Sequence, residues 1–167
     1  MKKGNNPVSK FANRDLAIMR EIDAPRDLVF ECWVNSKHLA SWWGPGGFSN
    51  PRCELDVRPG GAIRIDMQDP DGTVHPMGGF FEEIDGPQRL VFSSSALDGL
   101  GHPLFDVLNT VTFENRGDRT GITLQAEVLR TTEEGAPYLE GMEAGWKQTL
   151  DRLNDYVRRL SDNATTR

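Results

Sequence analysis

The chain has 167 residues, enough for one domain with a sizeable core. Its 37% hydrophobic and 26% charged content is that of an ordinary soluble globular protein. A net charge of −6, with Lys and Arg scattered among acids, excludes the clustered basic surface that nucleic acid requires.

Two cysteines, Cys32 and Cys53, are too few for a disulfide framework and are not spaced as metal ligands. Both neighbour apolar residues and read as buried free thiols. No apolar run approaches the ~18–20 residues of a membrane span. The opening MKKGNNPVSK has charge but no apolar core behind it, so it does not fit a signal peptide. These features predict a cytoplasmic protein with no membrane insertion.

Residues 1–13 are polar and turn-rich and are expected to form a flexible tail. Asp15 to Ile22 alternates enough to be a first strand. Pro25 suits the first position of a helix running to about Val34, with Leu28, Val29, Cys32 and Trp33 inward. Asn35-Ser36 ends it, and Ser36 is placed to cap a second short helix, Lys37 to Trp42. Trp42-Trp43-Gly44-Pro45-Gly46-Gly47 then forms a loop.

Strands follow at short intervals. Arg52 to Val57 ends at Arg58-Pro59-Gly60-Gly61. Ala62 to Gln68 alternates Ile63, Ile65 and Met67 with polar residues and ends at Asp69-Pro70-Asp71-Gly72. Gly78 to Ile84 and Arg89 to Ser94 come next. Phe105 to Glu114 and Thr120 to Leu129 form a hairpin across Asn115-Arg116-Gly117-Asp118. The turns are too short for crossovers, so the sheet must be antiparallel, with one buried and one wet face.

Thr131-x-x-Glu134 resembles a capping box, and a short helical turn is expected near Thr132 to Gly135. A long amphipathic helix is placed from Pro137 to Leu160, roughly 24 residues and ~36 Å long. One side carries Leu139, Met142, Trp146, Thr149, Leu150, Leu153, Val157 and Leu160. The other carries Lys147, Gln148, Asp151, Arg152, Asp155, Arg158 and Arg159. Ser161 to Arg167 reads as a second flexible tail, leaving residues 14–160 as a single domain.

This order predicts an α+β, helix-grip architecture: a curved antiparallel sheet around a long C-terminal helix, with two short helices plugging one end of the groove. No HExxH, CxxC, P-loop or GxGxxG in a suitable context is present, and no cofactor or metal is expected. The three histidines (His38, His75 and His102) sit in unrelated segments without an obvious nucleophile, which gives no recognisable catalytic set.

The candidate site therefore rests on convergence. Trp33, Trp42, Trp43, Phe81, Phe105 and Trp146 come from the short helices, the sheet and the long helix, and would meet where these parts join. Met142, Trp146 and Thr149 would face inward from the first half of the long helix. Asn109 is a polar misfit among Phe105, Val107, Val111 and Phe113. It is either a structural hydrogen bonder or an anchor inside a cavity. His75, between strands, is either a solvated turn residue or a donor or base at the rim. Glu143 is either a salt-bridge partner of Lys147 or a pocket group. Gly145 marks either close approach of the Gly44 to Gly47 loop or space left for a ligand.

Several ordered motifs carry a family resemblance: Glu21-Ile22-Asp23-Ala24-Pro25, His38-Leu39 with Trp42-Trp43-Gly44-Pro45, Asp56 to Gly61, Pro87 to Phe92, and Glu140-Gly141-Met142 with Gly145-Trp146. Together they resemble the helix-grip proteins related to the ATPase activator of the ninety-kilodalton heat-shock protein, in the START-like (SRPBCC) superfamily. The resemblance implies the same grip fold. Superfamily relatives bind lipids, aromatic polyketides or hormones in the cavity, and some catalyse cyclisation there. The expectation is a binding protein for a small hydrophobic, aromatic or lipid-like molecule, as monomer or homodimer. The alternatives are a polyketide cyclase- or hydrolase-like enzyme and a chaperone-associated regulator.

Overall fold

The computed structural model of the protein describes residues 15–165. The expected tail at residues 1–13 lies outside them. The described elements are β1 (Leu16–Ile22), α1 (Arg26–Val34), α2 (Ser36–Trp42), β2 (Ser49–Leu55), β3 (Ala62–Gln68), β4 (Val74–Asp85), β5 (Arg89–Ala96), β6 (Phe105–Arg116), β7 (Arg119–Thr131), α3 (Ala136–Glu140) and α4 (Met142–Thr165).

The strands form one seven-stranded sheet in the order β1-β7-β6-β5-β4-β3-β2. Every neighbouring pair is antiparallel. From β2 to β7 each strand pairs with the next in sequence, because the turns between them are short. β1 instead pairs with β7, so α1 and α2 carry the chain from one edge of the sheet to the other. The curved sheet holds α4 against one face, which is the helix-grip architecture expected from the sequence.

Two cores support this packing. The larger one joins both short helices, the sheet and Leu150, Leu153 and Val157 of α4. Full burial of each of these three side chains stabilises the fold by about 2 kcal/mol. The smaller core gathers Val107, Ala126, Val128 and Leu139 beneath α3. On its outer side α4 is tied to the end of β1. Arg158 pairs with Asp23 at 2.7 Å, and the Asp23 backbone N–H donates to Asn154 Oδ1 at 2.8 Å.

Local chemistry moved several expected boundaries. Pro25 is the N-cap of α1, with extended backbone, and not its first helical residue. Asn35, not Ser36, caps α2: its side-chain oxygen accepts from the N–H groups of Lys37 and His38. The N-cap of α3 is Gly135, without a side-chain cap, and Thr132 rather than Thr131 holds the turn before it, its Oγ1 accepting from Gly135 N at 3.2 Å. The long helix expected from Pro137 is two helices. Gly141 leaves helical geometry at φ −92° and ψ 3°, ending α3 and starting α4. α4 continues to Thr165, beyond the expected end at Leu160. β2 lies earlier than expected, at Ser49–Leu55.

β4 begins at Val74, four residues before the expected Gly78. Pro76 is tolerated because β5 ends opposite Met77, and its carbonyl still accepts from Leu97 N at 2.9 Å. Gly79 is required further along the strand, since a Cβ there would collide with the Ser93 carbonyl of β5.

Candidate functional site

The two cores do not meet beneath the first turns of α4. A cavity of about 280 Å³ lies there, roofed by Met142, Gly145, Trp146 and Thr149. Its floor comes from β3 to β6, and its sides from α3 and the loop after α2. Trp43, Phe48, Phe105, Trp146 and the methionines Met67, Met77 and Met142 make the wall apolar. Among the described residues no Asp, Glu, Lys or Arg side chain is part of it.

All four tryptophans gather beside this space. Trp146 meets Trp43 edge-on at 5.4 Å and stacks on Trp33 at 6.1 Å. Such contacts each add about 0.5–1.5 kcal/mol beyond area burial and hold the rings in defined orientations.

Of the expected site residues, Trp43, His75, Phe105, Met142, Trp146 and Thr149 line the cavity. Trp33 and Phe81 do not; they line, with Trp43, a separate narrow void of about 10 Å³ in the main core. Trp42 is fully buried, and its indole N–H donates to the Cys32 carbonyl at 3.1 Å. Asn109 is also fully buried and stands behind the wall. Its Nδ2 donates to the Phe92 carbonyl and, at 3.0 Å, to Ser94 Oγ, while its Oδ1 has no partner among the described residues. Asn109 thus combines a structural hydrogen bond with an indirect link to the cavity, since Ser94 lines it.

Thr149 has no free hydroxyl proton to offer, because Oγ1 donates to Gly145 O at 2.8 Å on its own helix. Glu143 is on the exposed side of α4 and pairs with Lys147 at 3.0 Å. Gly145 lines the cavity, but the loop does not approach closely enough to require a glycine, since a Cβ there would sit 4.0 Å from Pro45 Cγ, an ordinary contact.

His75 lies on β4, opposite Met67, and not in a turn. Its ring is at the rim between Phe48 and Tyr138, with centroids 6.0 and 6.5 Å away. Nε2 is 3.0 Å from Asp69 Oδ2. That hydrogen bond is the main reason the Asp69 carboxyl titrates below its usual range. The other oxygen, Oδ1, accepts from the N–H groups of Asp71 and Thr73.

Arg152, expected on the solvated face of the long helix, folds back onto the loop after α2. Its Nη1 meets the carbonyls of Trp43, Gly44 and Pro45 within 3.0 Å. Burial lowers the affinity of this guanidinium for its proton. Gln148 helps, accepting from Gly46 N at 3.0 Å. Together they fix the loop wall of the cavity.

Burial pushes the Cys32 thiol up to about 12 and the Cys53 thiol up to about 11, which leaves both as poor nucleophiles. Among the described residues no three His, Cys, Asp or Glu side chains cluster as metal ligands. No helix among the described residues is long and apolar enough to cross a membrane.

The family model described as Activator of Hsp90 ATPase homolog 1-like protein matches residues 23–158. The chain belongs to that family. Every residue of the cavity wall falls inside the span matched to the Activator of Hsp90 ATPase homolog 1-like family. Among solved structures, a protein from Nitrosomonas europaea is 26% identical, with a TM-score of 0.73 over 89% of this chain and 96% of its own. A protein from Arthrobacter aurescens is also 26% identical, with a TM-score of 0.79 over 87% of this chain and 86% of its own. An AHSA1 protein from Silicibacter pomeroyi shares the fold at 20% identity, with a TM-score of 0.74 over 86% and 97% of the two chains. No curated protein matches the chain.

Proposed function

We propose that this member of the Activator of Hsp90 ATPase homolog 1-like family binds a small aromatic molecule in the cavity between α4 and the sheet. The observation that carries the reading is the wall itself: three methionines and the aromatic side chains of Trp43, Phe48, Phe105, Tyr138 and Trp146 around about 280 Å³, with few polar atoms. Aromatic edges and thioethers both favour a flat π-system over a saturated chain. The volume is at the small end of ligand sites, which span roughly 300–1,000 Å³. It suits one or two rings better than a long lipid tail.

Trp43 and Trp146 would touch the ligand, so binding should quench tryptophan emission saturably. It should also raise the melting temperature by linkage, about 2.7 kcal/mol at a hundredfold excess over Kd. Bicyclic aromatic compounds and medium-chain fatty acids would be compared by both readouts. Stabilisation by the aromatic set supports the proposal, and no thermal shift with any aromatic compound refutes it.

A further inference from the structure

We infer that the Asp69–His75 pair selects a ligand with a hydroxyl on its ring, a phenol or enol, whose O–H donates to Nδ1 of His75. This rests on the cavity binding an aromatic molecule, and adds which chemical group that molecule carries.

Asp69 does not need His75 to build its turn. The hairpin is already closed by Asp69 N to Thr73 O and Gly72 N to Asp69 O, both at 2.9 Å. Oδ1 of Asp69 adds the bonds from Asp71 and Thr73. Oδ2 is left over, and it faces Nε2 of His75 at 3.0 Å. An ionised carboxylate only accepts, so the Nε2 nitrogen must carry the proton. In the neutral ring Nδ1 is then a lone-pair acceptor. No protein group occupies it among the described residues.

The other polar side chains on the wall are hydroxyls: those of Tyr138, Thr149, Ser94 and Ser95. Thr149 Oγ1 donates to Gly145 O, and Ser95 Oγ donates to Asp106. Ser94 Oγ already accepts from Asn109. These hydroxyl oxygens keep lone pairs, but an unprotonated imidazole nitrogen is the more basic and stronger acceptor, so a ligand hydroxyl is directed to His75. The absence of any Asp, Glu, Lys or Arg side chain from the wall among the described residues disfavours a carboxylate or an ammonium, which would lie unpaired in an apolar cavity. A neutral O–H fits.

The test compares naphthalene, 2-naphthol and 2-methoxynaphthalene by isothermal titration at about pH 8, where an ordinary imidazole is uncharged. The intact protein should bind 2-naphthol roughly fivefold to tenfold more tightly than the ether, the worth of one neutral hydrogen bond. In Asp69→Asn the amide oxygen must take over the turn bonds, which presents an N–H to Nε2 and moves the ring proton to Nδ1. The preference for naphthol over its ether should then disappear. His75→Phe should also abolish it, and naphthalene reports on the cavity in each variant.

Equal binding of naphthol and ether by the intact protein overturns the inference and leaves the aromatic site standing. So does an undiminished preference in Asp69→Asn. Failure of all three compounds to bind overturns both. Should the variants not fold, the ratio in the intact protein decides.

Discussion

Nη1 of Arg152 lies 2.9 Å from the Gly44 carbonyl oxygen, and the carbonyls on either side of Gly44 converge on the same nitrogen. Gly44 itself has φ +95°, a conformation that turns the loop toward α4 and that a side chain would strain. Removing the guanidinium strands three part-buried acceptors. Arg152→Met should cost about 1–2 kcal/mol in urea unfolding. Arg152→Lys should recover much of that but not all, because an ammonium brings three donors to one point while its stem is one atom shorter. A variant as stable as the parent would show that the loop holds itself.

Gly145 offers a gain. Its position is helical, and the nearest atom to a Cβ would be 4.0 Å away, an ordinary contact. Gly145→Ala should therefore stabilise α4 by up to ~1 kcal/mol in thermal unfolding. Gly145→Leu should fill the cavity and abolish quenching of tryptophan emission by aromatic compounds while the protein stays folded.

Asn109→Asp should be severe. It sets a carboxyl against the Phe92 carbonyl and Ser94 Oγ in a fully buried place. The ionised form would be uncompensated, so the folded carboxyl would titrate above its unfolded value. The expected loss is about 3 kcal/mol or more near neutrality. It should shrink at acid pH, where the group is protonated in both states. Urea midpoints at two pH values distinguish this from a uniform loss.

Acid should loosen the clasp between β1 and α4. The hydrogen bond from Arg158 is the first cause holding the Asp23 carboxyl below its ordinary value of 3.8. A depressed folded value means the contribution is present above the unfolded value and is lost as pH falls through the folded one. Stability should therefore decline below about pH 4, and Asp23→Asn should be less stable at neutrality with a flatter acid limb. Unfolding curves from pH 7 down to 3 would show it.

The order and pairing of the strands were readable because each turn names itself. Ala62–Gln68 was placed without error between Arg58-Pro59-Gly60-Gly61 and Asp69-Pro70-Asp71-Gly72, where alternation and turn chemistry agree. The start of β4 was missed because Pro76 and the paired glycines Gly78 and Gly79 look like breakers. What permits Pro76 is the end of β5 opposite Met77, and what requires Gly79 is the Ser93 carbonyl of β5 lying against it, facts of pairing and not of local sequence. Gly141 was equally ambiguous, since a glycine inside a helical period signals a break only when packing uses it.

The site was legible by type more than by position. Trp43 and Trp146 were found, yet Trp33 and Trp42, separated from Trp43 by less than three helical turns, face the solid core. Met67, Met77, Phe48, Ser94 and Tyr138 are ordinary strand, loop and helix residues in sequence, and no local signal marks them. Only the gap between the two cores does so. Arg152 was assigned to solvent by helical phase, which cannot foresee a long side chain reaching back to a loop.

Three of the chain's five methionines, Met67, Met77 and Met142, border the cavity. Each has unbranched, freely rotating bonds and a soft sulfur, so the wall can follow the outline of its guest at little energetic cost. The Trp43 and Trp146 side cannot, being locked edge to face. One flank of the cavity is therefore compliant and the other rigid. Ring systems of differing outline can share the same orientation here, with tolerance for shape supplied by the methionines and alignment by the indoles.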